Sequence, residues 1–158
     1  AKSAHRIKKE TAGEQGTTVH EECENWIKKG IEGQTQSFQN FKKWAEENKA
    51  EFLESEKHLY SEKHWFGGIC DLVIRMDGKI WVGDIKTSSG IYPEHFLQMA
   101  AYQIALEEMG FKEKITGHIV INLKKDGTMD EKRNASTEPH KEAFLAALTL
   151  YRCLNSVK

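Results

Sequence analysis

Residues 65–87 read WFGGICDLVIRMDGKIWVGDIKT, and this stretch decides the fold. Two runs rich in strand-forming residues, Trp65–Met76 and Lys79–Thr87, lie on either side of Asp77-Gly78. Asp-Gly between two such runs is a strong signal for a tight turn, so we predict a β-hairpin here.

The register of this hairpin brings charged residues together. A two-residue turn pairs Met76 with Lys79, and counting outward from that pair places Asp71 opposite Asp84. A four-residue loop gives the same register, whereas a three-residue loop makes the two aspartates diagonal neighbours. Opposed side chains share a face, with β-carbons about 4.5–5.5 Å apart. Lys86 projects from that same face because it lies two residues beyond Asp84.

The charged group has two interpretations on geometry alone. Adjacent carboxylates repel each other unless a cation lies between them. Magnesium suits such a place, because it binds one or two carboxylates together with waters and substrate phosphate oxygens. Lys86 would then orient or deprotonate an attacking water, or neutralise charge on a phosphate. The alternative is a structural ion pair between Lys86 and one aspartate, with the other aspartate exposed to solvent.

Periodicity and turn signals outside the hairpin predict the remaining elements. The predicted helices cover about residues 18–30, 37–50, 93–109 and 141–154, and further strands cover 52–60 and 115–123. A short edge strand is expected after the turn at Asp126-Gly127. The order α, α, β, β, β, α, β, β, α indicates an α/β fold with a mixed central sheet flanked by helices, in a single domain over residues 1–158.

The bulk composition excludes several classes of protein. The 158 residues are 39% hydrophobic and 30% charged, which is ordinary for a globular domain, and no stretch is apolar enough to span a membrane. Cys23, Cys70 and Cys153 are far apart, so a disulfide framework, a structural zinc site and a four-cysteine iron–sulfur cluster are not expected. With no secretory signal near the start, we expect a cytoplasmic protein.

The charge of the chain neither favours nor excludes a nucleic-acid partner. Its net value is −1, but a local basic face matters more than the sum. Three basic stretches, His5–Lys9, Lys124–Lys125 and Lys132–Arg133, are candidates for phosphate contact. The alternative is that these are solvated surface charges.

Four short motifs resemble those of one family of nucleases. Gly68–Asp71 followed by Asp84–Lys86 is similar to the signature of the PD-(D/E)XK nuclease superfamily, and Thr87 extends it to Asp-x-Lys-Thr. Gly16–His20 and Gln98–Tyr102 resemble two further motifs of its RecB-like and phage-type exonuclease branch. The resemblance spans more than half of the chain, and four motifs in order are far more specific than one. It implies a restriction-endonuclease-like core (αβββαβ).

The resemblance also implies a set of site residues. His20, Asp71, Asp84 and the backbone carbonyl of Ile85 would hold a magnesium or manganese ion, and Lys86 would act on the attacking water. From the residues alone, a solvated position in the first helical turn is the other interpretation of His20.

Further residues join this predicted site. Gln98 and Tyr102 lie four apart on one helix face and, together with Thr87, would brace the active site and contact DNA. The alternative is a helix whose amphipathic boundary carries two polar groups. Glu24 on the first helix and Glu56 on the strand before the hairpin would decide between one metal ion and two. A solvated carboxylate is the other interpretation of Glu56.

These observations together predict a metal-dependent DNA nuclease, more specifically an exonuclease of recombination, repair or phage DNA processing, encoded by a bacterium or a phage. It would use one or two magnesium or manganese ions and no iron–sulfur cluster. DNA is the expected partner, and no membrane is involved. A recombination protein or further copies of the chain are additional partners that the sequence leaves open. The alternatives are a non-catalytic DNA-binding or scaffold module that keeps the fold, and a hydrolase of a small phosphoester.

Overall fold

The computed structural model describes residues 18–157, and in this part of the chain it contains four helices and five strands. In chain order these are α1 (18–29), α2 (Gln36–Glu47), β1 (Glu51–Ser61), β2 (Phe66–Met76), β3 (Lys79–Lys86), α3 (Pro93–Glu108), β4 (Ile115–Leu123), β5 (Met129–Asn134) and α4 (Thr137–Ser156). The predicted order is confirmed, and the boundaries agree within a few residues. Gly16, Thr17 and the basic stretch His5–Lys9 lie outside the described residues. None of the described helices is both long and apolar enough to cross a membrane.

The five strands form one mixed sheet with the order β1-β2-β3-β4-β5. The three pairs β1–β2, β2–β3 and β4–β5 are antiparallel, whereas β3 and β4 are parallel. Parallel neighbours need a crossover connection, and α3 supplies it between β3 and β4. The predicted α/β class with a mixed central sheet is therefore confirmed.

The predicted hairpin register is found between β2 and β3. Pairing runs from Met76–Lys79 to Leu72–Gly83, so Asp71 and Asp84 are the next residues outward on the two strands. Asp77 and Gly78 in the turn have φ values of 51° and 73°. A two-residue turn with positive φ at both positions matches the right-handed twist of the strands, and this is why the register is fixed here.

The sheet carries a separate apolar cluster on each side. One cluster joins α1 and α2 to the sheet through buried aromatic and aliphatic side chains, including Phe38, Phe41 and Ile121. The other joins α3 to the opposite face through Phe96, Met99 and neighbours on the strands. Full burial of such a side chain contributes about 1.5–3 kcal/mol, so the two clusters hold the central strands firmly from both faces.

The last helix begins earlier than predicted and is only partly covered. Its start precedes Pro139, which the first helical turn tolerates because the backbone N–H there has no partner within the helix. Phe144, Leu145 and Leu148 are half-buried, but Tyr151, next in the predicted succession, is 65% exposed. The apolar succession thus continues past the surface against which α4 packs.

Candidate active site

Asp71 and Asp84 lie where β2 and β3 separate. Ladder pairing between the two strands ends at Leu72–Gly83. Cys70 and Leu72 pack into different apolar clusters although they are two residues apart, so the alternation of β2 is interrupted at Asp71. Asp71 Oδ2 accepts a hydrogen bond of 2.8 Å from the backbone N–H of Ile85, which ties the carboxylate to β3.

Lys86 connects this pair to α3. Its Nζ lies 2.9 Å from Asp84 Oδ2 and donates a hydrogen bond of 3.2 Å to Gln98 Oε1. The Gln98 amide in turn donates a hydrogen bond of 2.7 Å to the hydroxyl of Tyr102. The predicted helix pair, Gln98 and Tyr102, therefore faces the predicted lysine rather than solvent.

His20 reaches the same place from α1. Its Nε2 lies 2.5 Å from the carbonyl oxygen of Ile85 and 3.7 Å from Asp71 Oδ2. The side chain is about one-third exposed, which leaves it open to the cleft. The structure thus brings His20, Asp71 and the Ile85 carbonyl together, as the resemblance predicted.

The cleft formed by these residues has a volume of about 380 Å³ and is lined also by Asp84, Lys86 and Thr87. The interpretation of one exposed aspartate beside an ion pair is only half right. Asp84 is paired with Lys86, but Asp71 is only 18% exposed in its side chain. Both carboxylates line the same cleft.

Burial makes the two carboxylates electrostatically costly. Burial, together with the adjacent Asp84 carboxyl group, raises the pKa of Asp71 well above its ordinary value. Asp84 Oδ2 is fully buried and has no hydrogen-bond partner, because its contact with the Lys86 ammonium group does not have hydrogen-bond geometry. Without a cation the site therefore disfavours ionisation of both carboxyl groups at once.

Glu56 and Glu24 lie on the border of this site. The neighbours of Glu56 on β1 pair with Leu72 and Cys70, which places Glu56 across from Asp71 in the register. Glu56 has a positive φ of 51°, a conformation that is costly for a non-glycine residue and is often found at functional sites. Burial and the negative charges of Glu24 and Asp84 raise the pKa of Glu56. Glu24 is therefore close enough to act on the charge of Glu56. Its own carboxylate already has a partner, because it lies 2.8 Å from Lys28 Nζ.

The donor set fits a divalent cation. No three histidine, cysteine or acidic side chains within residues 18–157 are gathered closely enough to hold a metal by themselves. The predicted set differs from such a cluster because one of its donors is the Ile85 carbonyl. Neighbouring ligands of one magnesium ion lie roughly 3 Å apart, since each lies about 2.0–2.1 Å from the ion. The His20–Ile85 and His20–Asp71 distances of 2.5 Å and 3.7 Å bracket that spacing.

Sequence reasoning missed Asn122, which supports the segment after β3. Asn122 on β4 is fully buried. Its side chain accepts a hydrogen bond of 3.1 Å from Ser88 N and donates one of 3.0 Å to Ser88 O. Both backbone groups of a cleft residue are thereby fixed. An asparagine within a run of apolar strand residues was the signal available in the sequence.

A second buried polar residue, His118, is remote from the predicted site. His118 on β4 is fully buried and its Nε2 lies 2.8 Å from Gln103 Oε1 on α3. Burial lowers the pKa of His118 to about 4. His118 has no metal-ligand spacing in the sequence and no predicted role, and the structure places it between the sheet and α3, where it helps to fix the helix.

The predicted basic pairs are partly neutralised. Lys124 lies 3.4 Å from Asp130, and Arg133 lies 3.0 Å from Glu131 and over the ring of Trp81. Lys124 and Lys125 also line a groove that shares Thr87 with the Asp71–Asp84 cleft. Contact of these lysines with phosphate stays a prediction.

A mixed sheet with two carboxylates and a lysine at the open end of its central hairpin defines an α/β protein with an acidic, lysine-bearing cleft. The chain belongs to the PD-(D/E)XK nuclease superfamily, whose family model matches residues 2–153. The predicted superfamily and restriction-endonuclease-like core are thus confirmed, and a nuclease is indicated. No curated protein sequence matches the chain significantly. Membership of the RecB-like and phage-type branch stays a prediction.

Proposed function

We propose that this chain is a divalent-metal-dependent deoxyribonuclease and that its cleft hydrolyses phosphodiester bonds. The observation that carries this proposal is the arrangement of Asp71, Asp84 and Lys86 at the open end of the hairpin. Two neighbouring carboxylates and an ammonium group are held in one cleft by contacts from β3 and α3. An ion pair that served the fold alone would not require the second buried carboxylate.

The residues that would hold the ion are His20, Asp71, Asp84 and the Ile85 carbonyl. The raised pKa of Asp71, and the burial of Asp84 Oδ2 with only the Lys86 ion pair to balance it, both favour a cation at this place. When bound, a divalent ion supplies positive charge that stabilises the transition state of phosphodiester hydrolysis. We infer magnesium or manganese, because hard cations of this kind prefer carboxylate and carbonyl oxygens.

Lys86 would act directly on the reacting groups. An ammonium group has three N–H donors, and Gln98 accepts a hydrogen bond from one of them. Lys86 can therefore remain fixed while it orients the attacking water or neutralises charge that develops on the phosphate. Gln98 and Tyr102 would be positioning residues, because they act on the reaction through the lysine.

Glu56 and Glu24 would decide the number of ions. Glu56 lies across from Asp71, so a second ion would have carboxylates on both sides. Glu24 would have to leave Lys28 in order to contribute. We therefore favour Glu56 over Glu24 as the additional ligand.

More specifically, we propose an exonuclease of DNA recombination, repair or phage DNA processing. It is supported by the His20 helix and the Gln98–Tyr102 pair, whose positions beside the cleft match the roles implied by the exonuclease-type motifs. DNA is accordingly the proposed substrate.

Cleavage of end-labelled DNA tests this function. Single- and double-stranded substrates are incubated with the protein in the presence of magnesium, manganese or a chelator. Lys86→Ala should lose at least about 10²-fold in rate, whereas Lys79→Ala at the start of β3 should behave like the unmutated protein. DNA binding without metal-dependent cleavage would instead favour a non-catalytic DNA-binding module.

A further inference from the structure

An apolar groove adjoins the catalytic cleft, and we call it the side groove. Its volume is about 490 Å³, and it lies between the start of β2, the middle of α3 and α4. Gln98 and Tyr102 line both the side groove and the cleft. The remaining walls come mainly from Phe66, Gly68, Leu97, Phe144 and Leu148. A group bound beside Lys86 could therefore extend directly into the side groove.

Gly68 lets the Tyr102 ring pack closely against β2 on the strand side of the side groove. A β-carbon at Gly68 would lie 3.0 Å from Cε1 of Tyr102, closer than nearly all real contacts of this kind. The Tyr102 ring occupies the space that a side chain at residue 68 would fill, and it forms part of the groove wall there. Phe66 and Phe144 meet edge to face at the other end, with ring centroids 5.1 Å apart. The groove thus has aromatic groups at both ends.

None of the residues that line the side groove has a charged side chain. Its polar side-chain groups are the Gln98 amide and the Tyr102 hydroxyl, and these two already bond to each other. A phosphate would lose its hydration here without gaining a charged partner. A flat, uncharged, aromatic group is the occupant that such walls favour.

We propose that the side groove holds an unpaired nucleobase of the strand whose phosphodiester lies in the cleft, an inference that rests on the proposed function. Bases stack on aromatic side chains without regard to sequence, because every base has a π face. A base inside a duplex is stacked and paired, so it must leave the helix before it can enter such a groove. The protein should therefore act on single strands or frayed ends in preference to closed duplex.

The experiment compares two single-stranded DNA oligonucleotides that differ at one nucleotide beside the cleavage position. One carries the fluorescent base 2-aminopurine there, and the other carries an abasic analogue. Calcium replaces magnesium in the binding measurement so that the strand stays intact. We expect quenching of 2-aminopurine on binding and roughly tenfold weaker binding of the abasic strand, which is the scale of one base–aromatic stack.

Two variants of α4 serve as the test and its control. Leu148→Trp fills the side groove, and Leu150→Trp makes the same change at an exposed position two residues away. Leu148→Trp should lose quenching and the preference for the base, and Leu150→Trp should keep both. If Leu148→Trp does not fold, the comparison of the two strands on the unmutated protein still decides.

The outcomes separate this inference from the proposed function. Equal binding and equal cleavage of the two strands by the unmutated protein overturns the side-groove proposal and leaves the nuclease standing. Quenched binding of the 2-aminopurine strand without any metal-dependent cleavage overturns the nuclease and supports the groove. Neither binding nor cleavage of either strand overturns both.

Discussion

Lys86 on β3 donates a hydrogen bond of 3.2 Å to the side-chain oxygen of Gln98 on α3. The bond fixes a flexible lysine side chain to a helix that packs on the sheet. Because Gln98 also donates to the Tyr102 hydroxyl, its amide orientation is set and its oxygen must face the lysine. Burial raises the pKa of Tyr102 to about 12, so this hydroxyl stays protonated through the neutral range.

Gln98→Ala should lower kcat while leaving KM nearly unchanged. The lysine would keep its charge but lose its position, and misplacement of a catalytic group by about 1 Å can cost roughly 10²-fold in rate. Steady-state kinetics on single-stranded DNA measures the effect, with Gln36→Ala on the surface of α2 as the matched control. An unchanged kcat in Gln98→Ala would show that the hydrogen bond does not position Lys86.

His20→Ala should raise the metal concentration needed for activity. His20 Nε2 lies beside the Ile85 carbonyl and near Asp71, and loss of one donor weakens the hold on an ion. We expect the magnesium concentration for half-maximal rate to rise roughly 10–100-fold, the scale found for changes around metal sites. His58→Ala, on the exposed side of β1, is the control. The same metal dependence in both variants would remove His20 from the ligand set.

Asp71→Asn should make the metal-free protein more stable while it abolishes cleavage. The folded-state pKa of Asp71 is raised above its unfolded value of 3.8. Above pH 3.8 the carboxyl group ionises in the unfolded chain while the folded chain still favours the protonated form, so stability is lost as the pH rises. The neutral amide should therefore gain at least about 1 kcal/mol at pH 7, or ~2–4 °C in Tm for a domain of this size. The gain should shrink as the pH is lowered towards 3.8.

Thermal unfolding with and without magnesium measures this trade between stability and function. The ion should raise the Tm of the unmutated protein and of Asp130→Asn on β5, because a ligand that binds only the folded state stabilises it. It should have little effect on Asp71→Asn. A lower metal-free Tm for Asp71→Asn would contradict the prediction.

The central part of the site was predictable because turn chemistry sets strand register. Asp77-Gly78 fixes the pairing locally, and from there Asp71 and Asp84 follow by counting. The helix pair Gln98 and Tyr102 was predictable for a similar reason, since residues four apart share a helix face. Both rules act within one hairpin or one turn of helix, so they can be applied without knowledge of the rest of the fold.

Other features depend on contacts between distant elements and could not be read from the chain. The positive φ of Glu56 on β1 and the interrupted alternation of β2 at Asp71 both occur beside the cleft, where neighbouring strands meet. The exposed end of α4 depends on where its packing surface stops. The buried partners of His118 and Asn122 likewise come from elements far away in sequence. Periodicity predicts that a residue is buried, but not the group that it meets.

His118 should contribute a loss of stability in mild acid, opposite in sign to the contribution of Asp71. Its folded-state pKa is lowered to about 4 from an ordinary value of 6.5, chiefly by burial and also by the nearby charges of His140 and Lys141. The unfolded chain therefore binds a proton that the folded chain excludes between these pH values, so stability falls as the pH drops from 6.5 to 4. The loss should approach about 3 kcal/mol.

Urea unfolding at pH 7 and pH 4.5 checks this dependence. His118→Gln keeps a polar partner for Gln103 but cannot titrate, so its free energy of unfolding should rise relative to that of the unmutated protein on acidification. His58→Gln, at an exposed position, should change as much as the unmutated protein. Equal changes in all three proteins would assign the acid sensitivity to other groups.

Asn122→Ala should loosen the loop that follows Lys86. Asn122 satisfies both the N–H and the carbonyl of Ser88, and alanine would leave these two groups to compete for water in a half-buried place. We expect a loss of about 2 kcal/mol in the free energy of unfolding, since each buried polar group left unpaired costs about 1–3 kcal/mol and water recovers part of it.

The cleavage rate of Asn122→Ala should also fall roughly tenfold, because Ser88 lines the cleft and lies two residues from Lys86. Urea unfolding and single-turnover cleavage measure the two effects, with Asn25→Ala on the exposed side of α1 as the control. Normal cleavage by a destabilised Asn122→Ala would mean that the asparagine supports the fold alone and that Lys86 is positioned entirely by Asp84 and Gln98.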